Sequence, residues 1–257
     1  MLSLGAVSGE TGHLSEIFTS YQGEGARVGE KQLFVRFAGC HLRCTYCDTP
    51  ASLVRVPTCE VSYPGGRAET LVNPIPVGEL ARVIGRCLEE APDIAGIAIT
   101  GGEPMLQQRF ILAWLTEASP SVSCLLETSA TVTQGLEAIL PWIDVVSADI
   151  KLPSNSGEPP QWERHRDFLA RCRDVDADVY VKMPVSSDTR DDEVRYAARL
   201  ARETVPDAPL YLQPITDPDG GAWQLHSSRL LALTAAAASE ARLVCMLPQM
   251  HKLLAIR

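Results

Sequence analysis

The 257-residue chain has no apolar run approaching the ~20 residues that span a bilayer. Even LLALTAAAA (230–238) is short and belongs to an Ala-rich, amphipathic helical pattern. The first residues, MLSLGAVSGETGH, lack the basic start and apolar core of a signal peptide. Basic charge is also scarce: 23 Lys and Arg stand against 32 Asp and Glu, a net charge of −9. That balance argues against a phosphate-tracking surface and hence against a nucleic-acid partner. Internal repeats and charge blocks are missing as well. With 46% apolar and 21% charged residues, disorder and coiled coil are poor readings. A chain this long buries roughly 70–75% of its unfolded surface, so it needs no disulfide scaffold. The expectation is a single decorated domain over 1–257, in a reducing, cytoplasmic setting, with no membrane partner.

Short apolar or β-branched runs at 32–37, 96–100, 123–127, 144–149, 178–183, 210–213 and 242–246 read as strands. Between them, helical patterns cover 77–90, 107–118, 133–140, 161–172, 191–203 and 227–241. The first helix places Leu80, Val83, Ile84 and Cys87 on one stripe and Glu79, Arg82, Arg86 and Glu89 opposite. Regular β-then-α alternation calls for parallel strands with right-handed crossovers. The leading architecture is therefore an α/β fold, a partial TIM-type barrel of about six parallel strands. A doubly wound open sheet comes second. Residues 54–76, rich in Pro, Gly and Thr, read as an inserted hairpin or loop, and 153–160 (PSNSGEPP) as a flexible insertion.

Eight cysteines need an explanation. Cys59, Cys87, Cys124, Cys172 and Cys245 are scattered singly and are expected to pack as small hydrophobes or, for Cys59, to lie in the insertion. Cys40, Cys44 and Cys47 form a C-x3-C-x2-C run directly after QLFVRF. Three thiolates this close can converge on one soft metal site. They cannot complete a four-ligand structural zinc site by themselves, although His41 could compete as a ligand. On a cubane cluster, three protein ligands leave one iron open. Polar residues also gather at the ends of successive predicted strands: Thr100-Gly101-Gly102-Glu103-Pro104, Glu127 with Ser129, Asp149 with Lys151, and Gln213. Such ends are where an α/β barrel builds its site. Each has an ordinary alternative too, a structural turn for the glycine pair and a solvated loop lysine for Lys151.

The cysteine loop after the first strand, followed by the GGEP turn, resembles the radical S-adenosylmethionine (SAM) superfamily. The resemblance implies a [4Fe–4S] cluster on Cys40, Cys44 and Cys47, whose open iron chelates SAM. It further implies SAM contacts from Tyr46, Cys47, Asp48, Gly102, Glu103, Glu127, Ser129, Asp149, Lys151 and Gln213. An electron from the cluster would cleave the sulfonium, and the resulting 5′-deoxyadenosyl radical would take a hydrogen from substrate.

The stretch EIFTSYQGEG (16–25), with FVRFAGC and CDT after it, closely resembles the 7-carboxy-7-deazaguanine synthase family. What this implies is a lyase that converts 6-carboxy-5,6,7,8-tetrahydropterin to 7-carboxy-7-deazaguanine with loss of ammonia, for queuosine-type 7-deazapurine biosynthesis. In that reading Gln22 and Glu24 meet the pterin edge, helped by Tyr21 and Gly23. Arg36 takes the substrate carboxylate, and Thr100 is another contact. In QMHK (249–252), His251 approaches substrate, as does the terminal carboxylate of Arg257, making 242–257 a capping segment. Thr49 would offer its hydroxyl to Mg²⁺. The family also implies an electron donor such as flavodoxin and a homodimer. One departure is Asp149-Ile150-Lys151, where many members carry Ser-Pro-Lys. A radical SAM activating enzyme for a glycyl-radical protein is the alternative, and a non-catalytic iron–sulfur or zinc module is another.

Overall fold

Strand burial shows how the sheet is covered. Residues Gly96–Gly101 are buried along almost their whole length, as expected of a parallel strand with both faces shielded. The computed structural model describes residues 9–216 and 225–256. In chain order its elements begin with β1 (Thr11–Gly12), β2 (Leu14–Tyr21), β3 (Lys31–Phe37), β4 (Thr58–Ser62), β5 (Ala68–Val72) and β6 (Ile75–Pro76). Then come α1 (Val77–Glu90), β7 (Gly96–Gly101), α2 (Gln108–Ala118), β8 (Ser123–Thr128), α3 (Leu136–Ile139) and β9 (Val145–Asp149). The rest are α4 (Pro153–Ser156), α5 (Trp162–Arg171), β10 (Asp178–Val185), α6 (Asp191–Thr204), β11 (Leu210–Pro214), α7 (Ser227–Ala238), β12 (Val244–Met246) and α8 (Met250–Leu253).

Ten strands form one sheet in the order β12-β11-β10-β9-β8-β7-β3-β2-β4-β5. From β3 to β12 all neighbours are parallel, so seven strands make the open, barrel-like part. This is the α/β architecture expected, and the sheet does not close. Beyond β3 the sheet changes character. Strand β2 runs antiparallel to β3, and the hairpin β4–β5 joins β2 at the far edge. The 54–76 insertion is thus a hairpin that extends the sheet, with Cys59 fully buried in it.

Strand β2 was not foreseen from the sequence, where the first expected strand is 32–37. The reason is a register shift between Leu14 and Glu16, which breaks the period-two alternation that marks a strand. Residues 153–160 are likewise no flexible insertion at their start. Residues Pro153–Ser156 form a helical turn with Asn155 and Ser156 buried. The helix expected over 133–140 shortens to α3 and a following 3₁₀ turn. Cys87, Cys124 and Cys172 are buried as expected, whereas Cys245 on edge strand β12 is half-exposed.

The helices cover the outer face of the sheet, and the large apolar core lies between the two layers. Its largest members include Trp114 and Phe110 of α2 and Phe168 of α5. Phe110 packs edge-on against Phe37 at 6.2 Å. The inner face carries only a small apolar plug: Phe18, Phe34, Ala98, Leu125, Val145 and Tyr180. Phe18 and Phe34 stack at 5.1 Å. Above this plug the inner face turns polar. Among the described residues, no helix is long and apolar enough to cross a membrane.

Candidate active site

Side chains two residues apart on a strand share a face. Moving two positions from each plug residue toward the carboxyl end therefore gives the next inward side chain. Phe34 leads to Arg36, Ala98 to Thr100, Leu125 to Glu127 and Tyr180 to Lys182, and Val145 leads through Ser147 to Asp149. All of these end positions line one cavity at the carboxyl edge of the sheet. Cys40, Cys44, Tyr46, Cys47, Asp48 and Thr49 of the loop after β3 line it as well, with Tyr21, Gln22, Gly23 and Glu24 after β2. Gly102, Ser129, Lys151, Gln213 and His251 complete the residues anticipated there. Two anticipated residues stand apart. Arg257 lies outside the described residues, and Glu103 does not reach the cavity wall.

The cysteine loop is held by backbone. The Gly39 amide donates to Ser52 O at 2.8 Å, and that of Cys40 to Leu53 O at 3.1 Å. The Cys47 amide closes a turn onto Cys44 O at 3.1 Å. From below, the Thr45 hydroxyl donates to Asn155 O at 2.5 Å and the Thr45 amide to Ser156 O at 3.0 Å. Asn155 is fixed in turn, donating to Pro184 O and accepting from Ser186 and Thr189. All three thiols are free of disulfides and half-buried, and burial pushes the thiols of Cys40 and Cys44 up. His41 turns to Thr131 at 2.9 Å and has its own partner there.

Opposite the loop, Gly101 adopts φ +129° against β3. A Cβ there would sit 2.3 Å from Phe37 O, and one on Gly102 would sit 2.5 Å from Gly39 O. Only glycine permits this approach. The Glu103 carboxylate points inward instead, with no exposed surface. It accepts from the Met105 amide (3.0 Å), the Thr128 hydroxyl (2.8 Å) and the Ser129 amide (2.8 Å) and hydroxyl (2.5 Å). Glu103 therefore braces the end of β8, and its acceptor capacity is used up within the wall.

The other wall carries alternating charge. Glu24 faces the Lys182 ammonium and accepts from Gln249 Nε2 at 2.9 Å. Lys182 also pairs with Asp149 Oδ1 at 3.2 Å, and Asp149 Oδ2 accepts from Lys151 Nζ at 2.9 Å. Gln22 donates to Glu127 at 2.9 Å, and Arg36 pairs with Glu16 at 2.5 Å. Burial disfavours the charge on Lys182 and Lys151, but Asp149, with Glu24 beside Lys182, outweighs it and lifts both. Burial likewise pushes Glu24 up, yet Lys182 and Gln249 hold it below its usual range. For Asp48 the same contest ends at about 2: His251, Lys252 and Arg36 overcome burial. Donor atoms of Glu24, Asp48 and His251 lie within 4.8 Å of one another, a set able to hold a cation. His251 packs on Gly23, where a Cβ would meet Nδ1 at 2.3 Å, and the Met250 amide donates to Gly23 O at 2.9 Å.

The profile of the radical SAM superfamily matches residues 34–201. A 7-carboxy-7-deazaguanine synthase of Methanopyrus kandleri is 37% identical over 248 residues, covering 93% of this chain and 91% of the relative. One of Geobacter sulfurreducens is 33% identical over 242 residues, covering 93% and 95%. The chain belongs to the 7-carboxy-7-deazaguanine synthase family of the radical SAM superfamily. The fold agrees. The crystal structure of QueE from Escherichia coli superposes with a TM-score of 0.58 at 22% identity, covering 94% of this chain and 95% of that one.

Membership of the radical SAM superfamily carries with it a [4Fe–4S] cluster and SAM, and the residues present fit both. Three free thiols converge on the cavity, and the glycine pair leaves a cradle beside them. Among the described residues, the buried Tyr46 hydroxyl and Gln213 Oε1 in the same wall have no protein partner. Orphaned polar atoms at a cavity surface suit a polar ligand. Two members of this synthase wall carried no role in the sequence. Lys182 had a signal, a lone cation amid the buried Tyr180, Val181 and Met183. Gln249 had only its place in QMHK.

Proposed function

We propose that the protein is a carbon–nitrogen lyase that converts 6-carboxy-5,6,7,8-tetrahydropterin to 7-carboxy-7-deazaguanine with release of ammonia. The observation that carries this reading is the shared cavity: the three cysteines and the Gln22–Glu24 turn open onto the same space. A glycyl-radical activating role is not favoured, since synthases of this family match over nearly the whole chain. Cys40, Cys44 and Cys47 would hold the cluster. Tyr46, Cys47, Asp48, Gly102, Glu127, Ser129, Asp149, Lys151 and Gln213 would surround SAM, with Glu103 bracing Ser129 from behind. When bound, the cluster and SAM supply one electron and a carbon radical able to take a hydrogen from substrate.

The chain's own residues bind and orient. Glu24 offers carboxylate acceptors to the parallel N–H donors of the 2-amino-pyrimidinone edge, with Gln22, Tyr21 and Gly23 beside it. Arg36 and Thr100 rise from neighbouring strands β3 and β7 toward the substrate carboxylate. His251 would cap the ring. Thr49 would contact Mg²⁺, with Asp48 next to it supplying negative charge, since Mg²⁺ takes oxygen ligands and keeps several waters. The reading extends to a cytoplasmic homodimer reduced by a donor such as flavodoxin.

Anaerobic reconstitution followed by SAM, dithionite and 6-carboxytetrahydropterin tests the assignment. Formation of 7-carboxy-7-deazaguanine is expected. Release of 5′-deoxyadenosine with no product would sink it. A Thr49→Val enzyme is expected to lose Mg²⁺ stimulation, and unchanged Mg²⁺ dependence would remove Thr49 from the site.

A further inference from the structure

Lys182 stands in β10 between buried Val181 and Met183, with its ammonium directed to the cavity. A lysine there costs desolvation and must be compensated by partners. Its partners are two carboxylates from different walls, Glu24 after β2 and Asp149 at the end of β9. Asp149 has a second cation in Lys151 at 2.9 Å. Among the described lysines and arginines Glu24 pairs with Lys182 alone, and its other oxygen accepts from the neutral Gln249 amide at 2.9 Å. Among the described residues, Lys182 is therefore the cation that anchors the Glu24 carboxylate.

A carboxylate has about four acceptor directions, and Lys182 with Gln249 use two. Two remain for donors arriving from the cavity. We propose that Lys182 is the positioning residue of the substrate wall, anchoring and aiming the Glu24 carboxylate so that it accepts from the amino-pyrimidinone edge. The inference rests on the pterin reading of Glu24. The titratable groups around Glu24 are Lys182 from β10, Asp48 from the cysteine loop and His251 from α8; those around Lys182 are Asp149, Glu24, Glu127 and Tyr180.

The test measures 6-carboxytetrahydropterin binding by calorimetry to reconstituted enzyme with SAM and no reductant, followed by KM and kcat. Lys182→Met is expected to weaken binding and raise KM by about 30-fold or more, with iron content unchanged. In a Glu24→Gln background the same substitution should change affinity by less than about threefold. Lys182→Arg, which keeps the charge, should stay within about fivefold of wild type. If Lys182→Met fails to load iron, Lys182→Gln supplies the neutral contrast. Equal effects in both Glu24 backgrounds, or Arg as impaired as Gln, would overturn the proposal. A wild-type enzyme that does not bind the pterin would instead overturn the substrate reading beneath it.

Discussion

The two walls of the cavity are built on opposite terms. On the cluster side, Glu103 is sealed among four neutral donors, and the cysteine loop hangs on backbone bonds and the α4 turn. On the other side, running from the substrate turn toward the SAM residues, Glu24, Lys182, Asp149 and Lys151 alternate in sign, and Glu24 keeps acceptor capacity in reserve. The first wall comes from short, contiguous motifs. The second is assembled from residues as far apart as Glu24 and Gln249. A saturated wall fixes geometry before any ligand arrives, whereas a charged wall with spare acceptors retains affinity for one.

The sharpest break of this contrast is Cys40→Ala, expected to abolish iron–sulfur absorbance and product formation while the protein still folds. Retention of a full cluster would move the ligand set elsewhere. Next, Glu103→Gln puts an amide donor against the Ser129 or Thr128 donors. It should cost about 3 kcal/mol, a fall in Tm on the order of 9 °C, seen by calorimetry. A stability equal to wild type would mean that Glu103 is not the brace.

His165 ties both strand ends behind the cluster wall, with Nδ1 on Ala130 O at 3.1 Å and Nε2 accepting from the Lys151 amide at 3.3 Å. Burial, aided by Lys151, pushes its pKa down to about 4. Below about 6.5 the unfolded chain takes a proton that the folded one refuses until about 4. Stability should thus fall with decreasing pH across that window, by about 3 kcal/mol. Urea unfolding at stepped pH checks this, and an identical slope in His165→Asn would remove His165 as its source. The smallest effect belongs to the charged wall. Gln249→Ala removes one bond to Glu24 and should raise the pterin KM roughly tenfold, about 1.5 kcal/mol, with little change in Tm. A large loss of Tm would erase the distinction between the walls.

Legibility followed distance along the chain. The cysteine triplet stands out by its spacing, whereas the glycine pair and QGEG, each an ordinary turn by itself, gain a role only through the family resemblance. Strand β2 escaped because its register shift hides the alternation, and α4 because PSNS reads as loop material until its contact with Thr45 is known. Glu103 looked like a ligand contact, since no local pattern says whether a carboxylate faces a cavity or its own scaffold.

The amino-acid sequence by itself determined the α/β alternation, the three thiols that can bind a cluster, and the acidic net charge. These depend on periodicity, spacing and composition, which are local quantities. Tertiary structure alone decided that the sheet stays open with an antiparallel flank, that Glu103 turns inward, and that Lys182 meets Glu24. An ion pair across 158 positions exists only once β2 and β10 are held around the same cavity. The charge of a buried residue is settled by whatever the fold places beside it.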